Sequence, residues 1–587
     1  MGQVEAVEKL VGAYKSDPGR IVQHTFCHDL RRNWSVSVAW GYSVQLYPWL
    51  STAKELDTAF RTFQTWRSRV EEPFSFNTRP MSNDPCERPL VFFLDRIENM
   101  GGGETRSTYT RDVEDSDKRC DRVDYVAALG MRLVNVSASH FIPELWKKAP
   151  RRQCCEHYTA NATLAGEEPT NISHVVFGIA GSAKTWPKRH PYVELYWRPN
   201  VTRGFVWLDE KPPQNVTWPD TSPPYKVSAD TSSFNYTCWY GNRSAIRLTR
   251  IVKETFQLGL ENVRWFVMGD DDTLFFPDNL VTVLAKYDHN DLYYIGDQSE
   301  SVEQDVIHSY NTAFGGGGYA ISYPLAAHLV NILDGCINRY AQLYGADQKV
   351  QACVSEIGVQ TTRELGFHQL DIQGSAYGFL AAHPVAPLVS LHHLEAVDQL
   401  FPSSTRLDSL KKLVNAYKMD PGRVLQHSFC YDLQRNWSVS VSWGYSVELY
   451  PTLLTAKVLE TALGTFQTWK SWSDQPFVFN IRPVSSDPCG RPVVYFLDRV
   501  ESVGEGETRS TYARYGDVLE KKCGREDYRA TSGIDFVNVT ASKFTPDMWK
   551  KAPRRQCCDI MNGSDGVKNV VQIKIRECHR FESVTPP

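Results

Sequence analysis

Three consecutive aspartates, Asp270, Asp271 and Asp272, follow directly on the apolar run Trp265 to Met268 in the stretch RWFVMGDDD. Carboxylates held together at the end of a buried strand repel one another, and that is costly unless a cation neutralises them. Oxygen ligands in such a setting suit Mn2+ or Mg2+ bound together with a diphosphate. A solvated acidic turn or a capping cluster is the plain structural alternative. Further along, Gly315 to Gly318 removes side chains where backbone has to approach a ligand, and its amides could face a phosphate or a sugar hydroxyl.

Such a cluster needs a rigid scaffold behind it. From His174 to about Leu400, strand-like segments alternate with helical ones: HVVFGIA, GFVWLDE, a helix from Ser244 to Leu258, RWFVMGDDD, a helix from Asn279 to Lys286, and LYYIGD. The alternation predicts an α/β domain with a mainly parallel sheet, whose ligands sit at the carboxyl ends of the strands.

Both flanks of this region are copies of one module. Leu10 to Cys155 matches Leu413 to Cys558 without a gap, including DPGR at Asp17 and Asp420, RNWSVSV at Arg32 and Arg435, and KKAPRRQCC at Lys147 and Lys550. The organisation expected is a first copy over 1–157, a linker over 158–173, the α/β domain over 174–400 and a second copy over 406–587. The order suggests the tail of one duplicated unit joined to a complete second unit. Cys27, Cys86, Cys120, Cys154 and Cys155 map onto Cys430, Cys489, Cys523, Cys557 and Cys558, whereas the position of Cys578 is Val175 in the first copy. The second copy therefore has the cysteines for up to three disulfides, and the first is expected to keep an unpaired thiol or to bridge to another module. Alternation from Ser438 to Glu448 and the apolar run Val493 to Leu497 predict strands, and the apolar spacing over Leu453 to Trp469 predicts an amphipathic helix. The module is then α+β or β-rich and disulfide-stapled, its aromatic residues belonging mainly to the core.

The chain of 587 residues has 64 Lys plus Arg against 68 Asp plus Glu, a net charge of −4. No basic field is available for nucleic acid. Eleven N-x-S/T sequons and 14 cysteines with no CxxC pair point to the secretory lumen. The sequence shows neither a signal peptide nor an eighteen-residue apolar run, so the natural N-terminus is expected to lie upstream of residue 1.

RWFVMGDDDTLFFPDNL followed by FGGGGYAIS resembles the fringe-like branch of the beta-1,3-glycosyltransferases. The whole chain resembles a plant family of fringe-like glycosyltransferases with a long C-terminal extension. Lys184, Arg189 and Trp197 keep that family's spacing after the first strand, and Asp209 ends the next strand as the family's acidic residue does. The resemblance implies a GT-A fold and inverting, Mn2+-dependent transfer from a nucleotide sugar, usually UDP-linked, with a beta-1,3 linkage formed. The acceptor would be a hydroxyl of a glycan, glycoprotein or small glycoside, and the compartment the Golgi lumen. An N-terminal membrane anchor is implied too, although none is in this sequence.

The family's roles carry over residue by residue. Asp272 is expected to contact the metal, Asp270 the metal or the ribose, and Asp271 the donor region or a different partner. Asp209, Arg189, Lys184, Gly316, Gly317 and Gly318 complete the donor site. A late histidine completes the metal shell in the family, and SLHHLE offers His392 and His393, with His392 favoured. Inversion needs a base. The family keeps an acidic pair after the glycine motif; here Asp347 matches one member and Ala346 stands in place of the other, with Glu356 and Asp371 as rivals. Asp347 could instead cap a helix from Gln348 to Ile357. The Ala346 departure keeps open a second function, a sugar-binding, lectin-like protein on a transferase fold.

Overall fold

The computed structural model describes residues 3–29, 32–67, 72–101, 103–111, 120, 122, 125–126, 128, 130–139, 141, 168–213, 217–471, 475–504, 506–515, 523–561 and 569–586. Most of the expected linker, Cys154 and Cys155 lie outside these residues.

The middle region is built on a seven-stranded sheet. Its elements are β1 (Val175–Ala180), α1 (Trp186–Glu194), β2 (Arg203–Leu208), β3 (Tyr225–Val227), α2 (Ser244–Phe256), β4 (Trp265–Asp270), α3 (Pro277–Leu284), β5 (Tyr294–Gly296), β6 (Tyr319–Ser322), α4 (Tyr323–Arg339), α5 (Ala346–Glu356) and β7 (Thr361–Arg363). The strand order is β3-β2-β1-β4-β6-β5-β7. Parallel pairing joins β3 to β2, β2 to β1, β1 to β4 and β5 to β7, while β6 runs antiparallel to both neighbours.

Strands buried on both faces read as continuous apolar runs, which is why VVFGIA and WFVM carry so few polar residues. Alternate side chains go to opposite faces. Val175, Phe177, Trp265 and Val267 pack with Trp186 and Val193 of α1 and Leu280 and Leu284 of α3. Val176 and Phe266 pack with Ile246 of α2, Leu329 of α4 and Val350 of α5 on the other side. A disulfide, Cys336–Cys353, joins α4 to α5.

The second copy closes into an eight-stranded barrel in the order His427–Asp432, Trp437–Ser442, Ser446–Tyr450, Val493–Gly504, Glu507–Arg514, Phe536–Ser542, Val570–Arg576, Cys557–Met561. Cys430–Cys558 joins the two strands that close the ring, and Cys489–Cys523 and Cys557–Cys578 complete three bridges. In the first copy six strands follow the same order, from His24–Asp29 to Leu133–Ser139, and Cys86–Cys120 repeats one bridge. Val175, at the position of Cys578, lies in β1 of the central sheet instead.

Two local expectations are corrected. Leu453 to Trp469 is not one helix: a single turn, Ala456–Leu459, is followed by two short strands, Ala462–Leu463 and Phe466–Thr468. Phe466–Thr468 pairs antiparallel with Ile372–Gly374 of the middle region, a tertiary contact that outweighs the local periodicity. The stretch Ser438 to Glu448 is a hairpin rather than one half-buried strand, turning at Gly444 with φ +79°. Both hairpin strands are buried along their whole length because the middle region covers their outer face. Tyr377 donates to Glu448 at 2.6 Å and Ser442 to the Leu380 carbonyl at 3.1 Å. The apolar core consequently runs without a break from β1 and β4 into the barrel. Among the described residues no helix is long and apolar enough to cross a membrane.

Candidate metal centre

The aspartate triplet turns sharply at the carboxyl end of β4. Thr273 tightens the turn: its amide donates to the Asp270 carbonyl at 3.0 Å, its hydroxyl accepts from the Asp270 amide at 2.8 Å, and the hydroxyl donates to the Gly316 carbonyl at 2.7 Å. The glycine run is thereby tied to the acidic strand end. Consecutive side chains then diverge, with Asp270 and Asp272 facing His392 and Asp271 facing α1.

His392 Nε2 stands 3.2 Å from Asp272 Oδ1 and 3.8 Å from Asp270 Oδ2. One ligand atom from each of Asp270, Asp272 and His392 falls within 4.8 Å of the others. Asp272 and His392 side chains are 6% exposed, whereas Asp270 keeps 38% of its side chain open to the cleft. The other ring nitrogen, His392 Nδ1, is 3.3 Å from the Gln369 carbonyl, which holds Nε2 toward the carboxylates. Gly316 is required here, since a Cβ on it would lie 2.2 Å from His392 Cε1.

Burial and the neighbouring Asp272, Asp271 and Asp347 push the Asp270 carboxyl up to about 7, against the opposing pull of His392. Burial works against ionised His392, but Asp272 and Asp270 outweigh it and hold the ring up to about 9. Asp272 is held well below the usual carboxylate range, because His392 and Arg189 outweigh its own burial. Asp272 Oδ1 is a buried oxygen with no well-aligned hydrogen-bond donor. Two carboxylates gathered about one histidine ring nitrogen form a donor set that fits Mn2+ or Mg2+, the ion taking the place of the ring proton that Asp272 and Asp270 otherwise hold.

Asp271 is a structural member of the triplet. Arg189 Nη1 lies 2.8 Å from its Oδ1 and Thr185 donates to its Oδ2 at 3.1 Å. Burial raises the Asp271 carboxyl, and Arg189 and Thr185 offset that only in part. The guanidinium also reaches Asp272 at 3.0 Å and Glu395 at 3.3 Å. Arg189 is therefore occupied by carboxylates. Trp197 lies in the core under α1.

Asp209, just past β2, accepts from Ser182 Oγ at 2.9 Å and from the Ala183 amide at 2.8 Å. Burial pushes its carboxyl up, but these bonds and Arg247 leave it net below its ordinary value. Lys184 follows Ala183 on the same loop with its side chain exposed. The glycine amides are directed inward: Gly315 donates to Asp347 Oδ2 at 3.3 Å, Gly317 to Gln369 Oε1 at 2.7 Å and Gly318, at φ +83°, to the Gly315 carbonyl at 3.1 Å. Those three amides are committed within the protein, contrary to the expectation of a ligand-facing row.

Asp347 sits inside the first turn of α5, whose cap is Gly345, so it is not the capping residue. Its carboxylate accepts from the Gly315 amide, which ties it to the start of the glycine run beside the cluster. The rivals are elsewhere. Glu356 ends α5 and is held by Arg339 at 2.9 Å. Asp371 is buried, accepts from Ser299 Oγ at 2.6 Å and lies 3.0 Å from His393 Nδ1. His393 is not in the metal cluster, because Asp371 holds it away and Trp469 of the second copy stacks on it at 4.1 Å and 11°. It backs His392 instead, the two rings lying 4.0 Å apart.

Residues 1–155 and 304–558 match the family described as "Protein of unknown function, DUF604". The chain belongs to the DUF604 family. The DUF604 match takes in nearly all of the first copy, the second copy as far as Cys558, the glycine run, Asp347 and both histidines, while the aspartate triplet precedes its second segment. No curated protein matches the chain.

Sequence reasoning missed Thr185, Thr273, Gln369 and Trp469. Thr273, the residue directly after the triplet, was findable as a short side chain able to close a turn. Gln369 and Trp469 act through contacts that only the folded chain brings together.

Proposed function

We propose that this chain is a metal-dependent inverting glycosyltransferase of the fringe-like, GT-A type. It moves a sugar from a UDP-linked donor to a hydroxyl of a glycan, glycoprotein or small glycoside in the Golgi lumen, with a beta-1,3 linkage formed. The observation that carries this reading is the gathering of Asp270, Asp272 and His392 at the carboxyl end of β4, with ligand atoms within 4.8 Å of one another. The parallel strands β3, β2, β1 and β4, ending together beside it, support the nucleotide-binding role.

Asp270, Asp272 and His392 would hold Mn2+, which when bound supplies charge stabilisation for a departing diphosphate. Arg189 keeps Asp272 ionised and aimed, and His393, pinned by Trp469 and Asp371, keeps His392 in place. Asp209 and Lys184, on neighbouring loops at the β2 end, are positioned for the nucleoside. Asp347 is the candidate base that takes the acceptor hydroxyl's proton. The uncommitted face of Asp270 opens the cluster to the cleft.

The test is UDP release from a panel of UDP-sugars with and without Mn2+. Release that needs the metal and falls at least about a hundredfold in Asp272→Ala is expected. Metal-independent glycan binding with no release of UDP from any donor would refute the transferase and favour a lectin.

A further inference from the structure

The pentapeptide TFQTW occurs twice, as Thr62–Trp66 and Thr465–Trp469, at equivalent positions of the two copies. In the second copy it is a docking strand. Phe466–Thr468 pairs with Ile372–Gly374, Phe466 is 5% exposed, and Trp469 stacks on His393. The adjoining Leu463 carbonyl approaches so closely that a Cβ on Gly378 would lie 1.9 Å from it. In the first copy the preceding strand pair is retained, Ala59–Phe60 with Thr78–Arg79 repeating Ala462–Leu463 with Ile481–Arg482. Residues 61–65, however, form no strand. Phe63 is 39% exposed and Trp66 87% exposed, while the Thr65 hydroxyl is buried without a partner among the described residues.

The two identical peptides differ in what lies against them: Ile372–Gly374 and His393 for the second, and no such strand among the described residues for the first. The first copy does touch the middle region elsewhere, through the helix Ala53–Asp57 against α5 and Asn77 donating to Ser309 at 2.8 Å, which leaves Trp66 open. A segment that is not yet a strand but carries exposed aromatic side chains can pair with an edge strand that a partner domain brings to it. The chain carries two modules and one middle region, so copies of itself cannot cover both faces while the second module keeps its own.

We propose that the TFQTW face of the first copy, Phe63 to Trp66, is a docking site for a second domain of the middle-region type, carried by another polypeptide whose own module face is bare. That domain adds an edge strand equivalent to Ile372–Gly374 and presents a ring to Trp66 as His393 does to Trp469. The inference rests on the internal repeat and is independent of catalysis.

A full-length chain carrying Phe466→Ser and Trp469→Ala, with its middle face laid bare, serves as the probe. Mixed with the unaltered chain, it is expected to give a mixed complex by native mass spectrometry and slowed amide exchange over residues 62–66. Trp66→Ala in the unaltered chain should weaken the complex at least tenfold. Slowed exchange over 62–66 in the probe alone supports the site where native mass spectrometry shows the probe as a dimer, and counts against docking between chains where it stays a monomer. Two separate monomers with exchange at 62–66 unchanged would overturn it. Where the double variant fails to fold, Gln467→Pro, which denies Phe466–Thr468 its pairing with Ile372–Gly374, replaces it and the same outcomes decide.

Discussion

Gly316→Ala is the sharpest probe of the proposed metal centre, because it adds one methyl group and removes no charged side chain. That methyl would sit 2.2 Å from His392 Cε1, 2.3 Å from Nδ1 and 2.6 Å from Nε2. To restore ordinary contact the ring has to retreat by roughly 1 Å or more. It cannot do so freely, since the His393 ring lies 4.0 Å away, tilted by 33°, and the Gln369 carbonyl holds Nδ1. Overpacking of this kind costs about 1–3 kcal/mol of stability, and displaced or unsupported ligands typically lose about 10–100-fold in metal affinity. Gly315→Ala is the matched control: its Cβ meets only Asp347, at 3.6 Å, which is ordinary contact. Mn2+ binding would be measured by electron paramagnetic resonance titration on both variants and the parent chain. The expectation is a loss of at least tenfold for Gly316→Ala and less than threefold for Gly315→Ala. Equal affinities in all three would refute the placement of His392 in the metal shell.

Arg189→Ala leaves Asp271 and Asp272 buried without their shared cation, so a loss of about 3–5 kcal/mol is expected in urea unfolding, and less than about 1 kcal/mol would contradict it. Asp305 is fully buried, and burial together with Glu300 and Asp371 pushes its carboxyl up to about 9 despite a bond from the Ser299 amide. Stability from its protonated form is complete below the ordinary carboxylate range and is lost as pH rises through about 9. The Asp305→Asn chain should therefore gain on the parent progressively between pH 5 and 9 in denaturant midpoints; a pH-independent gap would argue against a protonated Asp305. Replacing both Cys430 and Cys558 by Ser opens the pair of strands that closes the barrel, and calorimetry should show a loss of about 2–5 kcal/mol.

The strands of the central sheet were legible because both faces are buried, so VVFGIA and RWFVM stand out as apolar runs whatever their neighbours. Their pairing was less so: nothing in YAIS announces that β6 runs against β4. The repeat exposed the module boundaries, yet not the barrel, since ring closure depends on Cys557–Met561 meeting His427–Asp432 across more than a hundred residues. In the site, residue type and order brought Asp270, Asp272 and His392 together. Arg189 was expected in the donor site and is found among carboxylates, a choice set by the position of α1 over the triplet. The four glycines look equivalent in sequence, but Gly316 makes room for a ring, Gly318 adopts positive φ, and Gly315 does neither.

Trp469 belongs to a part of the chain with no reactive group of its own, yet its indole is what His393, and behind it His392, leans on. The middle region and the second copy are thus not separable inheritances. A mutation screen confined to the region around the aspartates would overlook this dependence, and a carrier of a damaged appendage would present as one with a weakened metal grip.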